Sequence, residues 1–300
     1  MGKTMRERSS FPEIPETYLD EFIGRSLAED VGTGDITSAI LIPPDLQGRA
    51  FLLVKARGII AGIDIAKKVF LYVDPALRID AHFADGSRVK PGDNVADITG
   101  SVTGILKAER TALNILQRLS GIATQTAKYV AKTRGMTVKV ADTRKTTPGL
   151  RILEKYAVRV GGGFNHRMDL SDGVLIKDNH LAAQRALGKS LKDTIITAKH
   201  KAPAGLPVEV EVTSVEEALL AAEAGADIIM LDNMGIEDMK RAVAALPPGI
   251  KTEGSGGITL ANIGEVASTG VDIISVGALT HSPKALDISL ELEPQMLKLF

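Results

Sequence analysis

The chain has 300 residues, 44% of them hydrophobic and 24% charged, with a net charge of −1. That balance gives no basic field for nucleic acid or an anionic membrane surface, and no apolar run reaches the roughly 18 residues of a membrane helix. The sequence holds no cysteine, which excludes disulfides, thiolate metal sites and cysteine nucleophiles.

The charged start, Met1–Ser10, is followed by no apolar signal core, so a cytoplasmic setting is expected. Ile14 to Glu29 has helical spacing, with Leu19, Phe22, Ile23 and Leu27 on one side. A turn-rich acidic loop, Glu29–Ser38, follows. From Gly48 to Gly100 the pattern is mostly strands: Ala50–Lys55 is apolar, Arg78–Phe83 alternates, and Lys90–Gly100 reads as a turn feeding a strand. Ile65–Val73 is helix-like. Together these predict an α+β domain. A long helix is predicted from Leu106 to about Thr133 on Leu113, Leu116, Leu119 and Ile122, with Gly121 a candidate break or kink.

The rhythm then changes. Strand-like runs at Val138–Ala141, Val174–Ile176, Val208–Val212, Ile228–Leu231, Ile250–Thr252 and Ile273–Val276 alternate with helical patterns. The latter are Pro148–Val160, Leu191–His200, Val215–Ala224, Ile236–Leu246 and Leu260–Ser268. Alternating β and α units imply a parallel sheet. Without a Gly-x-Gly-x-x-Gly after the first strand, a barrel is favoured over a dinucleotide-binding sheet. The amphipathic tail, Leu286–Phe300, is expected to form a helix on the first domain.

In such barrels the C-terminal strand ends form the site, and here each end is polar or glycine-rich. Asp142 to Thr147 follow the first run and Lys177 to His180 the second. Glu209, Glu211, Asp232, Asn233 and Glu253 come from the next three, and two glycine turns, Ser255-Gly256-Gly257 and Gly277-Ala278, from the last two. Arg144, Lys145, Arg167 and Lys177, with His166, would repel one another in one mouth unless an anion joined them. The glycine turns suit a phosphate, and Glu211 and Asp232 suit a hard metal such as Mg²⁺ or sugar hydroxyls. Glu209 and Glu211, two apart on a strand, share a face and need cationic partners, with Lys177 and Lys145 the candidates. Each feature has a blander reading: Arg144-Lys145 as a solvated turn before a helix capped by Thr147, Val160–Arg167 as a sterically glycine-rich loop, His166 as a structural histidine. A lysine directly after Val-Leu-Ile is harder to dismiss, because it needs a cavity to face.

The sequence resembles the quinolinate phosphoribosyltransferase family, the carboxylating nicotinate-nucleotide pyrophosphorylases. The matching segments include EDVGTGDITS (Glu29–Ser38), ERTALNILQRLSGIAT (Glu109–Thr124), DTRKTTPGLR (Asp142–Arg151), EKYAVRVGGGFNHR (Glu154–Arg167), LIKDNH (Leu175–His180), VEVEV (Val208–Val212), LDN (Leu231–Asn233), GSGGI (Gly254–Ile258) and Gly270–Leu290. The resemblance implies an incomplete α/β barrel plus an N-terminal α/β sandwich-like domain. Boundaries are expected at 1–124 and 125–283, with a C-terminal helix at about 284–300 returning to the first domain. It also implies transfer of the phosphoribosyl group of 5-phosphoribosyl-1-pyrophosphate to quinolinate with decarboxylation, a step of NAD biosynthesis, with Mg²⁺. A homodimer or higher oligomer is implied, in which Arg110 of the neighbouring subunit completes the site.

By the same resemblance, quinolinate meets Arg110, Thr143, Arg144, His166, Arg167 and Lys177, and the 5-phosphate meets Ser255, Gly256, Gly257, Gly277 and Ala278. Lys145, Lys177, Glu211 and Asp232 are the expected catalytic groups, the last two also holding Mg²⁺ directly or indirectly. Three other functions compete: a nicotinate phosphoribosyltransferase of the same fold, a Schiff-base aldolase using Lys177, and a non-catalytic phosphate-binding barrel.

Overall fold

A computed structural model describes residues 13–299, so the charged start Met1–Ser10 lies outside the described residues. The elements begin α1 (Glu16–Val31), α2 (Ile36–Leu41), β1 (Gln47–Val54), β2 (Gly58–Ile59), α3 (Ile63–Val73), β3 (Arg78–Ala81), β4 (Arg88–Val89), β5 (Asn94–Ser101) and α4 (Val102–Lys132). They continue with β6 (Lys139–Ala141), α5 (Arg151–Val160), β7 (Val174–Ile176), α6 (Asp178–Ala186), α7 (Leu191–Lys201), β8 (Val208–Val212), α8 (Val215–Glu223) and β9 (Ile228–Asp232). The last are α9 (Ile236–Ala245), β10 (Lys251–Ser255), α10 (Ile263–Ala267), β11 (Ile273–Ser275), α11 (Ala278–His281) and β12 (Ile288–Leu292). Two compact units result. One holds the described residues up to 125 with 152–161 and those from 283 on; the other holds 126–151 and 162–282.

The first unit is built on an antiparallel sheet in the order β12-β1-β5-β3. Ala50, Leu52 and Val54 of β1 are buried while their neighbours are only half-buried, the alternation of a strand with one well-covered face. The tail corrects the sequence expectation. It is a strand, not a helix: Leu290 stands opposite Leu52 and Ile288 opposite Val54. Ile288, Leu290 and Leu292 alternate with polar residues, a period of two that a strand uses and a helix does not. Pro294 then opens a short 3-10 turn.

Two further expectations change. The acidic loop Glu29–Ser38 ends inside α2, because the Asp35 carboxylate accepts the Ser38 N–H at 3.0 Å and caps that helix. The long helix runs unbroken through Gly121. A Cβ there would collide with the Lys284 carbonyl oxygen, so this glycine serves close backbone approach rather than a kink.

In the second unit the six strands are parallel, in the order β6-β11-β10-β9-β8-β7. This is the order of a barrel opened between β6 and β7. Phe164 lies against the free edge of β6: its N–H donates to Val140 at 2.8 Å and its carbonyl accepts from Asp142 at 3.0 Å. β8 and β9 are buried along most of their length, as parallel strands covered on both faces must be. The helix expected at Pro148 starts later, at Arg151. Leu150 donates back to Thr147 in a turn and Gly149 has φ 80°, outside helical space.

Candidate functional site

The C-terminal ends of these strands enclose a cavity of about 590 Å³. Of the candidate residues in this unit, all but Gly277 and Ala278 line it. Arg110 lies on α4 in the other unit, its side chain 57% exposed.

Asp142, fully buried at the end of β6, organises one wall. Its carboxylate accepts the His166 N–H at 2.9 Å and the Asn165 amide at 2.6 Å. It therefore ties residues 165 and 166 to the strand. Thr143 Oγ1 accepts the Lys145 N–H at 3.0 Å, and the Lys145 carbonyl accepts from Thr280 at 2.8 Å. Lys145 is thus fixed by its backbone, and it joins no ion pair among the described residues. Arg144 Nε is buried without a hydrogen-bond partner among the described residues. Arg167 donates to the Gly173 carbonyl at 3.2 Å. Burial, and then the Arg144 charge, hold the Arg167 guanidinium below its ordinary pKa, with Glu209 and Glu211 opposing. Two guanidinium groups therefore repel each other at one cavity, the environment of an anion site.

Lys177 follows β7 and pairs with Glu211 of β8. Its N–H donates to His180 Nδ1 at 3.0 Å, so His180 closes the first turn of α6. The residues after β7 therefore divide: Lys177 and Asp178 line the cavity, while His180 caps a helix that the sequence pattern did not reveal. The two carboxylates of β8 divide as well. Glu211 pairs with Lys177 as expected. Glu209, 5% exposed, faces His166 Nε2 at 3.4 Å instead of Lys145. Glu253 of β10, fully buried, reaches the same nitrogen at 3.2 Å. The sequence alone gives Glu253 no role; its signal is an acid one residue beyond an apolar run, inside what proves to be the strand itself.

Asp232 ends β9 and accepts from the Asn233 side chain at 2.8 Å. Asn233 has φ 52° and donates its N–H to Ser255 at 2.9 Å. A Cβ on Gly256 (φ 86°) would collide with Asn233 Oδ1, so only glycine lets these two strand ends interlock. Gly277, which precedes α11, lies against Lys145: a Cβ there would be 3.0 Å from Lys145 Cδ.

The chain matches two family models: quinolinate phosphoribosyl transferase, N-terminal domain, over residues 35–120, and the C-terminal domain over residues 122–291. It is 42% identical over 274 residues to a probable nicotinate-nucleotide pyrophosphorylase [carboxylating] of Bacillus subtilis, covering 91% of this chain and 93% of that one. It is 40% identical over 302 residues to a mitochondrial quinolinate phosphoribosyltransferase [decarboxylating] of Nicotiana glauca, covering 95% and 85%. The solved nicotinate-nucleotide pyrophosphorylase of Francisella tularensis superposes with a TM-score of 0.85 at 40% identity, covering 94% of this chain and 98% of that one.

Proposed function

The chain belongs to the quinolinate phosphoribosyltransferase family, and from that premise we propose how its cavity performs the reaction. It transfers the phosphoribosyl group of 5-phosphoribosyl-1-pyrophosphate to quinolinate with decarboxylation, giving nicotinate mononucleotide, pyrophosphate and CO₂ in NAD biosynthesis. The observation that carries the site assignment is the unpartnered, buried Arg144 Nε beside Arg167. Guanidinium forks bind carboxylates bidentately, and quinolinate brings two adjacent carboxylates.

In this reading Arg144, Arg167, His166 and Thr143 hold quinolinate, with Lys177 at its edge. Ser255, Gly256, Gly257, Gly277 and Ala278 offer backbone amides to the 5-phosphate, and Lys145 meets the pyrophosphate. The ring nitrogen attacks the anomeric carbon as the bond to pyrophosphate breaks. Positive charge develops on the ribose, and the carboxylates of Glu211 and Asp232 stabilise it. The quaternised nitrogen then accepts charge from the breaking bond to the 2-carboxylate. The electron pair left on that ring carbon takes a proton from Lys145 or Lys177.

Glu211 and Asp232 also offer the oxygen donors that Mg²⁺ prefers. Asp232 has no cation paired with it among the described residues, whereas Glu211 is engaged by Lys177. Asp232 is therefore the better direct ligand, and Glu211 would act through water or the ribose. When bound, Mg²⁺ would neutralise the leaving pyrophosphate. The proposal includes a cytoplasmic homodimer, or a higher oligomer, in which the exposed Arg110 serves the neighbouring subunit's site. Support for that part is the family resemblance and the exposure of the side chain.

Calorimetric titration of Arg144→Ala tests the assignment. Quinolinate binding should be lost while 5-phosphoribosyl-1-pyrophosphate still binds; normal binding of both would show that Arg144 does not hold the carboxylates.

A further inference from the structure

Glu253 has no exposed surface, and neither of its carboxylate oxygens has a hydrogen-bond partner among the described residues. Glu209 Oε1 is equally unpartnered. Both carboxyls converge on His166 Nε2, at 3.2 and 3.4 Å. Replacing such a buried ionic cluster by apolar side chains is often neutral or stabilising, so fold stability does not explain these two residues. Their contact with His166 does.

One imidazole and two carboxylates within 4.8 Å of one another also resemble a metal site. The other ring nitrogen argues against that. Nδ1 accepts the Arg167 N–H at 2.8 Å, so a neutral ring must carry its proton on Nε2, leaving no lone pair there for a metal. Burial disfavours a charged ring, but the two carboxyls outweigh it and push His166 up to about 10. A charged ring would give up the bond from the Arg167 N–H, since an imidazolium has no acceptor, but in either form Nε2 keeps its proton between the carboxyls.

The ring has somewhere else to go. A second cavity, of about 220 Å³, adjoins His166 toward Val174, Ile228 and Ile273, the first residues of β7, β9 and β11. A ring held only by its backbone could swing into that space and draw Arg167 with it.

We propose that Glu253, with Glu209, is a positioning residue for quinolinate: the two carboxyls attract the Nε2–H of His166 at ion-pair distance while Asp142 grips the His166 backbone, and together they fix the segment that presents Arg167 to the cavity. This rests on the reading that His166 and Arg167 hold quinolinate.

The test is steady-state kinetics on the full chain, varying each substrate, with melting temperatures. Glu253→Ala should raise the quinolinate KM by about tenfold or more, as displaced binding groups do. The KM for 5-phosphoribosyl-1-pyrophosphate should stay within about twofold, and the melting temperature reports separately what the cavity left by the side chain costs. The near-isosteric Glu253→Gln, which keeps one acceptor, should give a smaller rise with the same selectivity, and it serves if the alanine variant fails to fold. On a His166→Ala background, Glu253→Gln should change the quinolinate KM by less than about twofold, because the pair acts as a unit. Both Glu253 variants at the wild-type quinolinate KM, both substrates affected alike, or an undiminished effect on that background would each overturn the proposal. If His166→Ala raises the quinolinate KM and the Glu253 variants do not, the positioning role fails alone. An unchanged quinolinate KM in His166→Ala would remove the assignment of His166 itself and the proposal with it.

Discussion

Lys177 and Glu211 form an ion pair across the adjacent parallel strands β7 and β8, at the ends that face the cavity. The pair sets the charge of the site before any ligand enters. Glu211 is mostly buried and Lys177 less so, so removing the lysine leaves a carboxylate with little water around it. Lys177→Ala and Glu211→Ala should each lower kcat by about 100-fold, the scale of losing one group that stabilises transition-state charge. The double variant should lose less than the product of the two, with a coupling of about 1–3 kcal/mol. Additive losses would show that the residues act separately.

The two glycines after β10 carry different loads. Gly256→Ala would drive a methyl into Asn233 and place it at φ 86°, whereas Gly257 has φ 60° and open space for 4 Å around the point where a methyl would stand. Gly256→Ala should therefore raise the KM for 5-phosphoribosyl-1-pyrophosphate strongly. Gly257→Ala should cost about 1–2 kcal/mol of stability through its positive φ, with a smaller kinetic effect. Parallel kinetics and thermal unfolding of both variants decide it.

Asp142→Ala would strip two acceptors from the His166–Asn165 segment at a fully buried position. Leaving those donors unsatisfied should cost about 1–3 kcal/mol, measured by urea unfolding. Its quinolinate KM should rise as well, because the same bonds locate His166.

The acid limb of stability should involve Asp227. Partial burial works against its charged form, but Lys199, at 2.7 Å, and the Val208 N–H, at 2.7 Å, outweigh burial and hold its carboxyl below the ordinary value of 3.8. A lowered value means that the stabilisation is present above that ordinary value and is lost as pH falls through the folded one. Asp227→Asn should therefore be less stable than the parent near neutral pH, by about 1 kcal/mol given the exposure of the pair. The difference should close in strong acid. A gap that persisted in strong acid would show that the carboxylate charge is not its source.

Much of this arrangement is legible in the sequence, for a definite reason. Parallel strands buried on both faces read as short apolar runs, so Lys177 and Asp232 stand out as polar residues where a buried run stops. Glu253 does not, because its apolar run ends at Thr252 while the strand continues to Ser255. The partners of Glu209 are equally hidden. His166 reaches it from an irregular segment anchored by Asp142 and Phe164, and no spacing rule connects those residues. The tail misleads because its period-two alternation spans only five residues, Ile288–Leu292, within the longer amphipathic stretch Leu286–Phe300. Its pairing with β1 is a tertiary fact. Gly121 shows the same limit: a glycine within a helical pattern signals flexibility or contact, and only the Lys284 carbonyl beside it decides between them.

The most direct test supplies the protein with Mg²⁺, 5-phosphoribosyl-1-pyrophosphate and either quinolinate labelled at the 2-carboxylate or nicotinate, following CO₂ and mononucleotide together. Equal yields of CO₂ and nicotinate mononucleotide are expected from quinolinate, with little product from nicotinate. Mononucleotide from nicotinate with none from quinolinate would contradict the proposed reaction, and with it the assignment of Arg144 and Arg167 to a second carboxylate.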